Sequence, residues 1–187
     1  RFEISRKDVG KDRKVMAFCY MDDAAFALAA IFRSRGLDAV VLPRTSSESL
    51  ALGKRYSSGK ECVPYQTTLG DKLLFLLSGQ KRYQVRPDEV LSFPRERSIA
   101  PSDVIFYDPY AQGPCRFGQY NEGYKRIYEE LGIPVNMLCT GAQNNYGDVF
   151  RDSWDAAKWA VLAWDGVSAT DLLQKALRVV RPVAKRP

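Results

Sequence analysis

Four cysteines, Cys19, Cys62, Cys115 and Cys139, are the residues of this chain best suited to chemistry, and no two of them form a CxxC pair. Two share a setting. Gly59-Lys60-Glu61-Cys62 and Gln112-Gly113-Pro114-Cys115 each place a thiol after a glycine-containing loop and directly before a segment with helical periodicity. At a helix start the unpaired amide N–H groups and the positive end of the dipole favour the thiolate, which is the form that ligates soft metals. Cys139 is expected to close a strand and to project at the carboxyl edge of a sheet, where open α/β folds place their ligands. Cys62, Cys115 and Cys139 could therefore converge on one rim although they lie far apart in sequence. Each also has a plainer reading, since free cysteine is often a small buried hydrophobe. Cys19, inside an apolar run, is read that way.

Other groups gather near the same loops. Arg116 could donate to a cluster sulfur or a bound anion, or be an exposed residue at a helix start. Glu61 could carry a proton beside Cys62 or be a solvated loop charge. Tyr65, Gln66, Gln119, Tyr120 and Asn121 fall in the first turns of the two helices and could line a pocket or cap those helices. The loop Gly141–Gly147 could cradle a phosphate but lacks the Lys-Ser/Thr partner of a phosphate motif. Trp154, Trp159 and Trp164 read as helix packing. The chain has no histidine. This removes the Ser–His and Cys–His nucleophile systems and histidine-ligated metals, and leaves cysteine, carboxylate, lysine, tyrosine or a cofactor to do the chemistry.

The elements that must position these residues follow from hydrophobic periodicity. Residues 14–20 read as a buried strand, Asp22-Asp23 as an N-cap, Ala24–Arg35 as a helix stopped by Gly36, and Leu37–Pro43 as a second strand. Strand, helix, strand within thirty residues signals a parallel crossover. Ser46–Tyr56 and Pro64–Leu77 read as helices. Residues 79–102, with Pro87, Pro94 and Pro101, read as irregular connection with one weak strand. Asp103–Asp108 is a third strand, Arg116–Leu131 a helix and Ile133–Cys139 a fourth strand. Two helices follow, the first containing Trp154–Trp164 and ended by Gly166, the second spanning Ala169–Val180. The expected fold is α/β, Rossmann- or flavodoxin-like, with a predominantly parallel sheet flanked by helices and a helical C-terminal tail. Residues 1–13 are read as an arm or linker, 14–182 as a single domain and 183–187 as a tail, the whole being a piece of a larger protein.

With 45% apolar and 27% charged residues, the composition is that of an ordinary globular protein. No run approaches the roughly 18 apolar residues of a membrane span, and no signal-peptide pattern opens the chain. A cytoplasmic location and reduced thiols are expected rather than a disulfide framework. The net charge of +6 gathers near the two ends, and no basic patch interleaved with aromatics marks a nucleic-acid surface. Neither a nucleic acid nor a membrane is expected as a partner.

Gly59-Lys60-Glu61-Cys62-Val63-Pro64-Tyr65-Gln66-Thr67-Thr68-Leu69-Gly70-Asp71 and Gly113-Pro114-Cys115-Arg116-Phe117-Gly118-Gln119-Tyr120 resemble motifs of proteins related to the 2-hydroxyacyl-CoA dehydratase activases. The ending Asp171–Pro182 is similar to theirs as well. These are large anaerobic proteins that join sugar-kinase-like ATPase modules to a region similar to dehydratase and benzoyl-CoA reductase subunits. The resemblance implies an α/β domain whose loop cysteines hold an iron–sulfur cluster, of the 4Fe–4S type with three cysteine ligands and one open iron position. Cys62 and Cys115 match the family motifs, while Cys139 enters on the strand-end argument alone. It further implies electron transfer toward an acyl-CoA-type substrate, driven by an ATPase module in the same or a partner polypeptide, with no ATPase activity from this chain itself. Two other readings stay open. One is a cluster-free module that docks an ATPase partner or a small ligand. The other is structural zinc on Cys62, Cys115, Cys139 and a carboxylate.

Overall fold

A computed structural model of the protein describes residues 14–77, 82–86, 89–92, 100–109, 113–140 and 153–184. The arm at 1–13 and the loop 141–147 lie outside them. The strand β1 (Val15–Phe18) is apolar and buried throughout, as a central parallel strand must be. Gly36 closes α1 (Ala24–Ser34) at φ +80°, and β2 (Ala39–Val41) then pairs parallel to β1. Two helices follow, α2 (Ser47–Tyr56) and α3 (Val63–Leu77), then β3 (Arg82–Arg86) and β4 (Glu89–Ser92). After these come β5 (Val104–Pro109), α4 (Tyr120–Glu130), β6 (Asn136–Thr140) and α5 (Ser153–Val180).

The sheet order is β4-β3-β2-β1-β5-β6. The four strands β2-β1-β5-β6 are parallel, and β3 and β4 add an antiparallel hairpin on the β2 edge. Strand order therefore reverses at β1, with the chain passing first to β2 and later to β5 on the other side. This is the flavodoxin-like arrangement, in which ligands bind in the crevice outside the carboxyl ends of the strands at the reversal.

Alternation along the strands gives the sheet two apolar faces. Val15, Ala17, Val104 and Phe106 face the layer of α2, α3 and α4, where Leu69, Leu73, Tyr124 and Tyr128 pack. Met16, Phe18, Ile105 and Tyr107 face α1 and α5, where Ala29, Phe32 and Trp159 pack. Helices α2 and α3 lie unusually close, because a Cβ at Gly53 would stand 1.8 Å from the Gln66 carbonyl oxygen, and one at Gly70 the same distance from that of Ser49.

Four expectations need correcting. Residues 82–86 and 89–92 form two paired strands rather than one. The helix after Cys115 begins as a 3₁₀ turn, Arg116–Gln119, and becomes α-helical only at Tyr120. Asp23 makes no side-chain cap; the first turn of α1 is closed by Asp22, whose Oδ1 accepts from the Ala24 amide at 2.7 Å. Finally, α5 runs through Gly166 as one 28-residue helix. Glycine inside a helix costs only about 1 kcal/mol, and here it permits close approach, since a Cβ would meet Ile31 Cδ1 at 3.1 Å and Ala27 Cβ at 3.3 Å. Of the three tryptophans only Trp159 is buried, edge-on to Phe32, while Trp154 and Trp164 are more than 70% exposed. No helix among the described residues is long and apolar enough to cross a membrane.

Candidate functional site

Two loops meet where α3 and α4 begin. Cys62 immediately precedes α3, and its carbonyl accepts from the Tyr65 amide at 3.0 Å, the first hydrogen bond of that helix. Its Sγ is hydrogen-bonded to the Tyr120 hydroxyl, at the first residue of α4. That hydroxyl, as donor, holds the Cys62 thiol below its ordinary pKa; burial opposes the effect, while the amides of Tyr65 and Cys62 and the charge of Arg116 add to it. Arg116 reaches back across the gap and donates from Nη2 to the Lys60 carbonyl at 3.2 Å. Cys62, Arg116, Glu61, Tyr65 and Tyr120 line a cavity of about 200 Å³.

An aromatic wall stands behind the thiol. Tyr120 meets Tyr65 and Phe117 edge-on with centroids 5.1 and 5.0 Å apart, and Tyr65 stacks on Tyr124 at 4.9 Å. Burial and the Cys62 sulfur both push the Tyr120 hydroxyl pKa upward, and the charge of Cys115 adds to them. Cys115 is exposed, one residue before Arg116 and the 3₁₀ turn. Arg116 thus ties the Cys62 loop to the segment that carries Cys115, and Cys115 stands on an irregular turn and not at the first residue of an α-helix.

Cys139 stands at the end of β6. It pairs in register with Asp108 on the neighbouring strand β5, and burial followed by the Asp108 charge pushes its thiol up to about 11. Neither influence favours a thiolate. Cys19 is buried at the end of β1, with its thiol pushed up to about 12 chiefly by burial, which fits its reading as a small hydrophobe. Among the described residues no group of three or more Cys, Asp or Glu side chains stands together as around one metal ion. A three-cysteine centre on Cys62, Cys115 and Cys139 is thus not preformed. The chemistry of the donors fits a soft metal at Cys62 and Cys115, and does not fit it at Cys139.

The sequence reading passed over a second group. Lys72, on α3, is wholly buried and ion-paired with Asp108 near the end of β5. The Lys72 ammonium lies 4.1 Å from the Tyr124 ring centroid and 5.3 Å from that of Phe106. Tyr124 in turn shares a 2.6 Å hydrogen bond with Thr68. Asp108 lines a cleft of about 180 Å³ with Phe18, Thr68, Tyr107, Tyr120 and Tyr124. This cleft lies between the carboxyl ends of β1 and β5, at the reversal of strand order. A signal was present: Lys72 falls inside the apolar stripe of α3 between Leu69 and Leu73, and Asp108 closes a strand of continuous apolar residues.

Neither a protein-family model, nor a curated protein, nor a solved structure matches the chain.

Proposed function

We propose that this domain contributes Cys62 and Cys115 to an iron–sulfur cluster at the carboxyl edge of its sheet, within a redox system that delivers low-potential electrons toward acyl-CoA-type substrates with the help of an ATPase module. One observation carries the reading: the Tyr120 hydroxyl is hydrogen-bonded to the Cys62 sulfur and Arg116, next to Cys115 in sequence, reaches back to the Lys60 carbonyl, so the two loops that carry these thiols are joined to one another. Cys139 is left out, because its burial and its carboxylate neighbour oppose the thiolate that ligation requires.

A bound cluster would supply one-electron chemistry, with a potential tuned by charge, hydrogen bonding to sulfur and exposure. The chain's own residues supply those three influences. Tyr120 donates to Cys62, Arg116 places positive charge beside it, and the ring of Tyr65 limits water on its inner side. Cys115 faces solvent, which keeps that side open to a partner. The remaining iron positions fall to other donors.

Anaerobic reconstitution with iron and sulfide, followed by absorption and EPR spectra, tests the reading. The broad thiolate-to-iron charge-transfer absorption and an EPR signal on reduction should form in the parent chain and be lost in Cys62→Ser and Cys115→Ser. A colourless, iron-free parent, or unchanged spectra in both variants, would leave a cluster-free interaction module in its place.

A further inference from the structure

Helix α5 rests on the domain along one side only. Trp159 is buried against Phe32, Ala163 packs on the same cluster, Gly166 abuts Ile31 and Ala27, and Gln174 Nε2 donates to Asp23 Oδ2 at 3.3 Å. These four positions recur at helical spacing and mark the inward face. The opposite side of a solvated helix should be polar, and here it is not. Val161 and Leu162 form one exposed apolar pair, Leu172 and Leu173 a second, and Val179 and Val180 a third, each residue between 45% and 68% exposed. The intervals between pairs, eleven and seven residues, together make five helical turns, so the three pairs line one side of a straight helix.

The spacing of this stripe specifies its own partner. The pairs 161–162 and 172–173 lie at equal distances on either side of Val167, at the middle of α5. A two-fold axis at that point, with a second copy running antiparallel, sets Val161 opposite Leu173 and Leu162 opposite Leu172, each contact made twice. Asp165, on the same side between these pairs, then faces Ser168 of the second copy, whose hydroxyl can donate to it. The charges favour this direction. Asp155 and Asp165 precede the midpoint and Lys175, Arg178 and Arg181 follow it, with only Lys158 and Asp171 placed the other way. Antiparallel packing sets opposite charges end to end, whereas parallel packing sets like against like. The area is sufficient as well. Six aliphatic side chains at roughly 100 Å² each, with Trp154 at the rim, offer about 800 Å² per copy, the share of each partner in a stable interface.

We propose that α5 is the interface of a homodimer, in which two copies of this chain pack their outward α5 faces antiparallel about Val167 and carry their α/β domains on the outer sides. Packing of a single helix face on each copy corresponds to a dissociation constant of about 10 μM.

Sedimentation velocity of the full chain between about 1 and 200 μM tests this. The chain should pass from monomer to dimer across that range. Leu172→Glu, which the two-fold places in the interface twice, should weaken the dimer about a hundredfold or more, and Val161→Glu should do the same. Leu177→Glu, equally exposed but off the stripe, should change nothing. Direction is read separately in a Cys62→Ser/Cys115→Ser background, which should itself dimerise like the parent and so separates this interface from the cluster proposal. There, Leu162→Cys and Leu172→Cys chains mixed under mild oxidation should form a disulfide-linked dimer, and Leu162→Cys alone should not. A chain that stays monomeric throughout, leaving the stripe to a different protein, would overturn the proposal. So would a dimer indifferent to both Leu172→Glu and Val161→Glu, or efficient cross-linking of Leu162→Cys to itself.

Discussion

Replacing Lys72 by Met tests whether the buried ion pair is structural. Lys72 is fully enclosed and the Asp108 side chain only 12% exposed. Breaking such a pair from one side leaves an uncompensated buried charge, at a cost of about 3–5 kcal/mol. The partial exposure of Asp108 lets some water reach it, so the lower figure, about 3 kcal/mol, is expected for Lys72→Met. Asp108→Asn should cost less, about 2 kcal/mol, because an amide oxygen still accepts from Lys72 and the rings of Tyr124 and Phe106 hold the stranded ammonium. The double variant Lys72→Met/Asp108→Leu removes both charges and should lie closer to the parent than Lys72→Met alone, with a coupling of about 2 kcal/mol. Urea unfolding followed by far-UV circular dichroism gives all four values. A Lys72→Met cost below about 1 kcal/mol, with additive effects in the double variant, would refute the reasoning.

Other expectations follow from the same contacts. In an ordinary helix, Gly53→Ala would stabilise by about 1 kcal/mol; here the new methyl meets the Gln66 carbonyl, and a loss of about 2–3 kcal/mol by urea unfolding is expected. Trp159→Ala should cost about 3 kcal/mol, whereas Trp154→Ala and Trp164→Ala should stay within about 0.5 kcal/mol in the same assay. Because the Tyr120 hydroxyl lowers the Cys62 pKa, iodoacetamide should label Cys62 with a midpoint below that of the unfolded chain. Tyr120→Phe should move this midpoint upward in a mass-resolved pH series. The stability tied to this thiol is present above its unfolded pKa and fades as pH falls through the lower folded value. Cys19 and Cys139, with pKa raised by burial, should label slowly below pH ~9 until the chain unfolds.

Local signals revealed most of the fold. The run Val15–Phe18, the helix ending at Gly36 and the run Ala39–Val41 fix the parallel crossover without tertiary help. The capping box of Ser46 and Ser49 marks the start of α2. The hairpin β3–β4 was read as irregular because prolines flank short mixed segments, and its pairing on β2 is a long-range fact. Gly166 was read as a stop because its role is to let α1 approach, which no local rule records. At the site, the two loops that end at Cys62 and Cys115 were legible as motifs before helices, and Arg116 ties them together through the Lys60 carbonyl. The role of Tyr120 was not, since a hydroxyl bridging two helix starts depends on how those helices pack. Cys139 does stand at the end of its strand, as its position in the sequence suggests, but its burial beside Asp108 depends on the register of β6 against β5. Lys72 and Asp108 were passed over because single charges within apolar segments reveal their pairing only in three dimensions.

Bound iron and sulfide per chain after anaerobic reconstitution, measured side by side in Cys62→Ser, Cys115→Ser and Cys139→Ser, tests the proposed ligation most directly. Loss of bound iron in the first two variants, with the third retaining as much as the parent, is the result the proposal predicts. Loss in Cys139→Ser with full retention in Cys62→Ser would contradict it.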